Sequence, residues 1–267
     1  MFKILCTTDF SKNSDFAIQY AIQISNAMKA KLHFITAFTE PRVTGSLKSL
    51  DERISEALEE DMDRMIQKLS PSIKTGIVPE KAVVQGNTVK VILEYAHKQD
   101  IQLIVIGTKG STNLSSLFVG GIAQEFIRTS KIPILAIPNW THSVLTGNTV
   151  LLCLDEKGIQ NLKSIDALKT FKLLPDVKMD VFHMSVQNEK IDLAENTKLL
   201  AGMVRNIIEV EGDDAVAEIK YYVEHHDDIG IIAMVGRNHS FWHTLLFETN
   251  TTAELFATNV PLLILPE

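Results

Sequence analysis

The sequence predicts an α/β protein made of two tandem open parallel-sheet domains of five strands each. Three observations carry this expectation: short apolar runs alternate strictly with amphipathic helical stretches, several runs are continuously aliphatic, and the whole pattern occurs twice. Strict alternation requires crossover connections, which lay strands parallel and place helices on both faces of the sheet. A strand buried on both faces has no reason to alternate polar and apolar residues, and 103–106 and 132–137 do not.

In the first half, Lys3 to Thr7 is a short apolar run followed by Asp9. Ser11 to Lys29 reads as an amphipathic helix with Phe16, Tyr20, Ile24 and Ala27 on one face, and Lys31 to Phe38 as a strand. A loop with Pro41 and Gly45 leads to a helix over about Leu47 to Leu69, whose Leu47, Leu50, Ile54, Leu58, Met62, Met65 and Leu69 keep helical spacing. Its other face mixes acid and base, including Glu59, Glu60 and Asp61, and reads as solvated. A strand near Lys81 to Gln85, a helix near Thr88 to Gln99, a strand Gln102 to Ile106, a glycine-rich loop, a helix near Gly121 to Ser130 and a strand Ile132 to Ile137 complete this half.

The second half repeats the plan. A strand Thr149 to Leu154 leads through Asp155 to a helix over about Gly158 to Phe171. Then come Lys178 to Met184, a helix near Leu193 to Val204, a strand near Asn206 to Val210, a helix near Asp214 to His226, and strands Gly230 to Val235 and Val260 to Leu265. Residues 101–138 lie over 229–266 without a gap, and both stretches end in an aliphatic-Pro-aliphatic strand closed by a second proline. This is an internal duplication, with domains at 1–140 and 147–267 and a junction near Pro138 to Gly147.

Composition narrows the class of protein. The 267 residues, 45% hydrophobic and 22% charged, are enough for a sizeable core and are not those of a disordered chain. A net charge of −7 with no basic run leaves no cationic surface for nucleic acid or an anionic membrane. No apolar stretch approaches the ~20 residues of a membrane span. Cys6 and Cys153 each sit inside an apolar run and read as reduced core residues. A cytoplasmic location is expected, because too few residues precede Cys6 for a signal peptide.

The chemistry is concentrated in GTKGSTNLSSLFVGG at 107–121, between the apolar run 103–106 and the helix-like IAQEFIRTS. Glycine lets a backbone approach an anion closely, and a helix N-terminus offers unpaired N–H groups at a positive dipole end. Strand, glycine loop and helix start, in that order, describe a phosphate-binding site. Lys109 is a further point charge in the loop, or simply a solvated lysine. Asp9 reads either as a ligand contact or as a helix cap.

Two motifs then occur together: TTDFS at Thr7 to Ser11, and G-x2-G-x9-G at Gly107, Gly110 and Gly120 before a helix and an Ile-Pro-Ile strand. On these residues the chain resembles the universal stress protein family, over nearly its whole length as two copies, with the second copy eroded. The resemblance implies a Rossmann-like fold of the adenine nucleotide alpha hydrolase type with strand order 3-2-1-4-5 in each copy. It also implies a cytosolic stress-response or regulatory role and a bound adenine nucleotide, ATP or else AMP or ADP, with magnesium able to accompany it. Thr8 and Asp9 fall on the family motif, with Asp9 meeting the ribose or adenine end and the backbone near Ala37 the adenine edge. Gly107, Gly110 and Ser111 belong to the phosphate loop, and Gly120, Gly121 and Ile122 to the helix start beyond it. Members pair through their last strands, which here would set 132–137 beside 260–265 within one chain, and a homodimer is open as well.

The position after Gly120, usually Ser or Thr in the family, is Gly121, with Ser111, Thr112, Ser115 and Ser116 nearby as substitute hydroxyls. In the second copy Val235, Asn238, Glu248 and Thr249 replace the loop glycines, so one live site is expected, in the first copy. His225, His226, His239 and His243 read as polar residues at a vestigial edge rather than as a metal site. Phe241, Trp242, Leu245, Leu246 and Phe247 suggest an apolar contact with the first copy or with an apolar ligand. No Walker A lysine pattern, metal-binding Asp pair or Ser-His-Asp set is evident, so little or no turnover is expected. The alternatives are an ATP-hydrolysing or adenylyl-transferring enzyme, and a scaffold that binds no nucleotide.

Overall fold

The computed structural model describes residues 1–39, 49–108, 121–138, 147–154, 166, 168, 177–185, 200, 202–212, 214–236 and 260–266. The first half runs β1 (Lys3–Thr7), α1 (Lys12–Met28), β2 (Lys31–Phe38), α2 (Ser49–Leu69), β3 (Glu80–Gln85), α3 (Thr88–Lys98), β4 (Leu103–Gly107), α4 (Gly121–Thr129) and β5 (Ile134–Ile137). The second contains β6 (Thr149–Leu154), β7 (Lys178–Ser185), β8 (Val204–Glu211), α5 (Ala215–Glu224), β9 (Ile229–Gly236) and β10 (Leu262–Pro266).

One ten-stranded sheet results, ordered β3-β2-β1-β4-β5-β10-β9-β6-β7-β8. Each half has the order 3-2-1-4-5 with every neighbouring pair parallel. The halves join where β5 and β10 run antiparallel, with Leu135 opposite Leu263 and Ile134 opposite Ile264. The last strands thus pair within one chain, as the resemblance implied. Buried side chains form a core on each face: Ile4, Cys6, Phe34 and Leu135 on the side of α1 and α2, and Leu5, Ile35, Ile104 and Phe126 on the side of α3 and α4. Cys6 and Cys153 are both buried free thiols. Among the described residues no helix is long and apolar enough to cross a membrane.

Local chemistry accounts for the helix ends. Ser11 caps α1 by accepting from the Ser14 N–H, and Lys29 closes it at φ 52, its own N–H bonded to the Ser25 carbonyl. Asn87 caps α3 through the Lys90 N–H and Asp214 caps α5 through the Ala217 N–H. The expected face of α1 is corrected in one place, because Ala27 is exposed. The buried arc is centred on Ala17 and Ala21 and includes Ile18, Tyr20 and Ile24. At 100° per residue Ala27 lies about a third of a turn from that centre.

A second correction concerns the helix expected near 193–204. Gly202 and Met203 lie in a turn and Val204 already belongs to β8, paired with Met179. An aliphatic residue at a boundary serves either periodicity, and pairing with β7 decides for the strand. Residues 193–199 lie outside the described residues, as does most of 158–171, of which Asp166 and Leu168 are helical.

Each half carries a polar cluster at the amino ends of its strands, with different charges. In the first half His33 of β2, its side chain fully buried, sets Nδ1 3.1 Å from the Tyr95 hydroxyl of α3 and 3.2 Å from Glu80 Oε2 of β3, while Nε2 has no partner. A carboxylate only accepts, so the proton belongs on Nδ1, and protonating Nε2 as well would bury an unpaired N–H. Burial holds His33 below its ordinary pKa, against the opposing pull of Glu80. In the second half Asp180 of β7, also fully buried, takes two bonds from Arg205, at 2.8 and 2.5 Å, and one from the Tyr222 hydroxyl at 3.1 Å. Arg205 also bonds Asp228, which accepts from Thr149. Burial raises the Asp180 pKa, but the bonds from Arg205 and Tyr222 outweigh it and hold the carboxyl below the ordinary range.

Because the folded His33 pKa lies below the unfolded value of 6.5, the unfolded state binds more protons as pH falls through that value. The stability His33 contributes is complete above pH 6.5 and is lost as pH drops toward the folded pKa. Urea unfolding at about pH 7.5 and 5.5 should therefore show a smaller acid loss in His33→Leu than in the wild type. Arg205→Met should cost about 3 kcal/mol by leaving the buried Asp180 carboxylate unpaired, and Asp180→Asn in the same chain should recover part of that loss in the same assay.

Candidate functional site

The winding direction of the first half reverses between β1 and β4: from β1 the chain moves to β2 and β3 on one side, then crosses to β4 and β5 on the other. Helices on the two sides leave a crevice beyond the carboxyl ends of the strands at such a point. A cavity of about 230 Å³ lies there, bordered by Thr8, Asp9 and Ser14 from the β1–α1 turn, Ala37 at the end of β2, Thr88 and Ile92 of α3, Gly107 and Thr108 after β4, and Gly121, Ile122 and Phe126 of α4. Residues 109–120, between the last two groups, lie outside the described residues.

The walls have two characters. Ile92, Ile106, Ala123 and Phe126 make an apolar floor, while Thr8, Ser14, Thr88 and Thr108 supply hydroxyls and Asp9 a carboxylate. Asp9 is the one charged side chain among the described lining residues. The first turns of α1, α3 and α4 all meet the cavity, at Ser14, Thr88 and Gly121. Each aligned helix start contributes about 0.3–1 kcal/mol toward an anion. A flat apolar group on the floor and an anionic group near the helix starts are what this surface accommodates.

The β1–α1 turn holds Asp9 in place through a compact set of bonds. Phe10 has φ 58, unusual for a bulky residue, and reverses the chain from strand to helix within a few residues. Asp9 Oδ1 accepts from the Ser11 N–H at 3.1 Å and the Ser11 hydroxyl at 2.5 Å. Thr8 Oγ1 accepts from the Phe10 N–H at 3.0 Å and lies 3.1 Å from Ser14 Oγ, which donates to the Ser11 carbonyl at 2.8 Å.

Thr8, Asp9, Ala37, Gly107, Gly121 and Ile122 all border this one cavity, although they come from four separate stretches of chain. Gly110, Ser111 and Gly120 lie outside the described residues, together with Lys109, Thr112, Ser115 and Ser116. Sequence reasoning missed Ser14, Thr88 and Thr108. The first two are hydroxyl residues in the first turn of a helix that follows a strand, and that pattern was the available signal. A Cβ built on Gly121 meets nothing within 4 Å, so a serine fits there without displacing any described neighbour.

The matching positions of the second half carry buried apolar residues. Strand register puts Met184 where the first half has Ala37, and Val235 where it has Gly107. Ala215 begins α5 where Thr88 begins α3. Met184, Val235 and Ala215 are all buried. His225 and His226 are tied to the end of α5, each with Nδ1 at the carbonyl four residues back and each ring against Tyr221 or Tyr222. His239, His243, Asn238, Glu248, Thr249 and the apolar residues of 241–247 lie outside the described residues.

With this geometry in hand, comparison with known proteins is decisive for the family. The model of the universal stress protein family matches residues 1–138, just over half the chain. This chain belongs to the universal stress protein family. A universal stress protein of Methanocaldococcus jannaschii is 29% identical over 137 residues, which cover 51% of this chain and 81% of the relative. Across both halves, a universal stress protein from Archaeoglobus fulgidus superposes with TM-score 0.72 at 18% identity, covering 99% of this chain and 96% of the other. A putative universal stress protein from Pseudomonas aeruginosa gives TM-score 0.62 at 14% identity, covering 99% and 92%. At these identities the two structural likenesses concern the fold.

Proposed function

We propose that the chain is a cytoplasmic nucleotide-binding stress-response or regulatory protein, with one live site for ATP in an N-terminal domain of residues 1–140 and a domain of 147–267 that binds none. The observation that carries this reading is the cavity at the β1/β4 switch point, where the starts of three helices meet beside Asp9 and Ala37. In this reading the adenosine lies over the apolar floor, Asp9 contacts the ribose or adenine end, and the backbone at Ala37 faces the adenine edge. The phosphates lie between Gly107 and the start of α4, with magnesium able to accompany them through phosphate oxygens. Buried Met184 and Val235, at the register positions of Ala37 and Gly107, support the absence of a second site. A regulatory role without turnover fits a lining in which, among the described residues, the surface-exposed Asp9 carboxylate is the one charged group.

Calorimetric titration with ATP and magnesium, followed by product analysis after long incubation, tests this directly. One nucleotide bound per chain without multiple turnover is the expected result, while sustained ADP or AMP production would replace it with the enzyme reading. Two substitutions test the placement. Gly121→Ser should tighten binding by roughly tenfold through an added hydroxyl at the helix start. Ala37→Met, which copies the residue of the second half, should abolish the ATP-induced rise in melting temperature while leaving the melting temperature without ligand nearly unchanged. Normal ATP binding by Ala37→Met would place the nucleotide elsewhere.

A further inference from the structure

We infer that Thr8 is a positioning residue whose hydroxyl, together with Ser14, holds the Phe10 turn and so keeps Asp9 at the cavity, and that it donates no hydrogen bond to the nucleotide. This deepens the proposed function and rests on it for the identity of the ligand.

The argument is an accounting of protons. Ser14 Oγ has one proton, and it goes to the Ser11 carbonyl 2.8 Å away. The 3.1 Å contact between the Thr8 and Ser14 hydroxyls must then be donated by Thr8. One lone pair of Thr8 Oγ1 is occupied by the Phe10 N–H. Thr8 therefore has no proton left for a phosphate oxygen or an adenine ring nitrogen, both of which only accept. Its burial agrees, since 6% of the residue is exposed although it borders the cavity.

The same bonds show what Thr8 does instead. A non-glycine residue at φ 58 is strained. It persists here because the Phe10 N–H is clamped by Thr8 on one side, while the Ser11 N–H is clamped by Asp9 Oδ1 on the other. Ser11 in turn caps α1 through the Ser14 N–H. Thr8, Asp9, Ser11 and Ser14 thus form a closed set in which the orientation of the Asp9 carboxylate depends on the Thr8 hydroxyl.

The test compares Thr8→Val, Thr8→Ser, Asp9→Asn and the double variant Thr8→Val with Asp9→Asn, using ATP with magnesium and, on the ligand-free protein, amide hydrogen exchange at Phe10 and Ser11. Thr8→Val should weaken ATP binding by roughly threefold to tenfold, with Thr8→Ser restoring it. In the Asp9→Asn background Thr8→Val should add nothing further. Exchange at Phe10 and Ser11 should quicken in Thr8→Val and stay slow in Thr8→Ser. A Thr8→Val penalty that adds in full to that of Asp9→Asn would mean that Thr8 donates to the nucleotide, and would overturn the inference. Unchanged exchange in Thr8→Val would overturn it as well. Failure of the wild-type protein to bind ATP would remove the nucleotide reading alone, leaving the exchange measurement to decide the role of Thr8.

Discussion

The antiparallel pairing of β5 with β10 governs the architecture. Through it each half loses one open sheet edge to the other, and two five-stranded sheets become one sheet of ten. An unpaired strand edge is a site for unwanted association, and here two such edges satisfy each other inside one chain. The contact is made by short aliphatic strands, Ile134–Ile137 and Leu262–Pro266, whose side chains also belong to the cores on both faces. The direction reversal has a further effect. The carboxyl edge of the first half, which carries the cavity, lies along the same margin of the sheet as the amino edge of the second half, which carries Asp180, Arg205 and Asp228.

Duplication followed by divergence is visible in the chemistry of equivalent places. His33 and Tyr95 in one half correspond to Asp180 and Tyr222 in the other, so the tyrosine on the helix is retained, while the partner on the neighbouring strand is Glu80 in one and Arg205, one residue before the register counterpart of Glu80, in the other. Both solutions leave a buried polar group supported by a partner on the neighbouring strand, which is the condition for burying it at all. The carboxyl edges diverged in the opposite sense. Where the first half has Ala37 and Gly107 beside a cavity, the second has buried Met184 and Val235.

The elements were legible wherever period and punctuation agreed. Continuous aliphatic runs such as 103–106 read as doubly buried strands, and the helix expected from Ser11 begins in the structure with Ser11 as its cap. Ala27 and Val204 were misread because a spacing rule does not state where the buried arc is centred or which neighbour claims a boundary residue. Ser14, Thr88 and Thr108 were missed for a related reason: a hydroxyl in the first turn of a helix marks Ser14 and Thr88 only as one of many, and nothing marks Thr108, until three distant chain segments are brought to one edge.

By itself the sequence determined the alternation of strand and helix, the duplication, the family, and the loss of loop glycines in the second half. These properties are encoded locally, in side-chain period, glycine placement and motif spacing. Only the tertiary structure decided that Thr8, Asp9, Ala37, Gly107, Gly121 and Ile122 share one cavity, that the Thr8 and Ser14 hydroxyls meet, and that Met184 stands at the register position of Ala37. Those outcomes depend on strand order and register, which are set by the burial of both faces of a continuous sheet and by pairing between residues far apart in the chain.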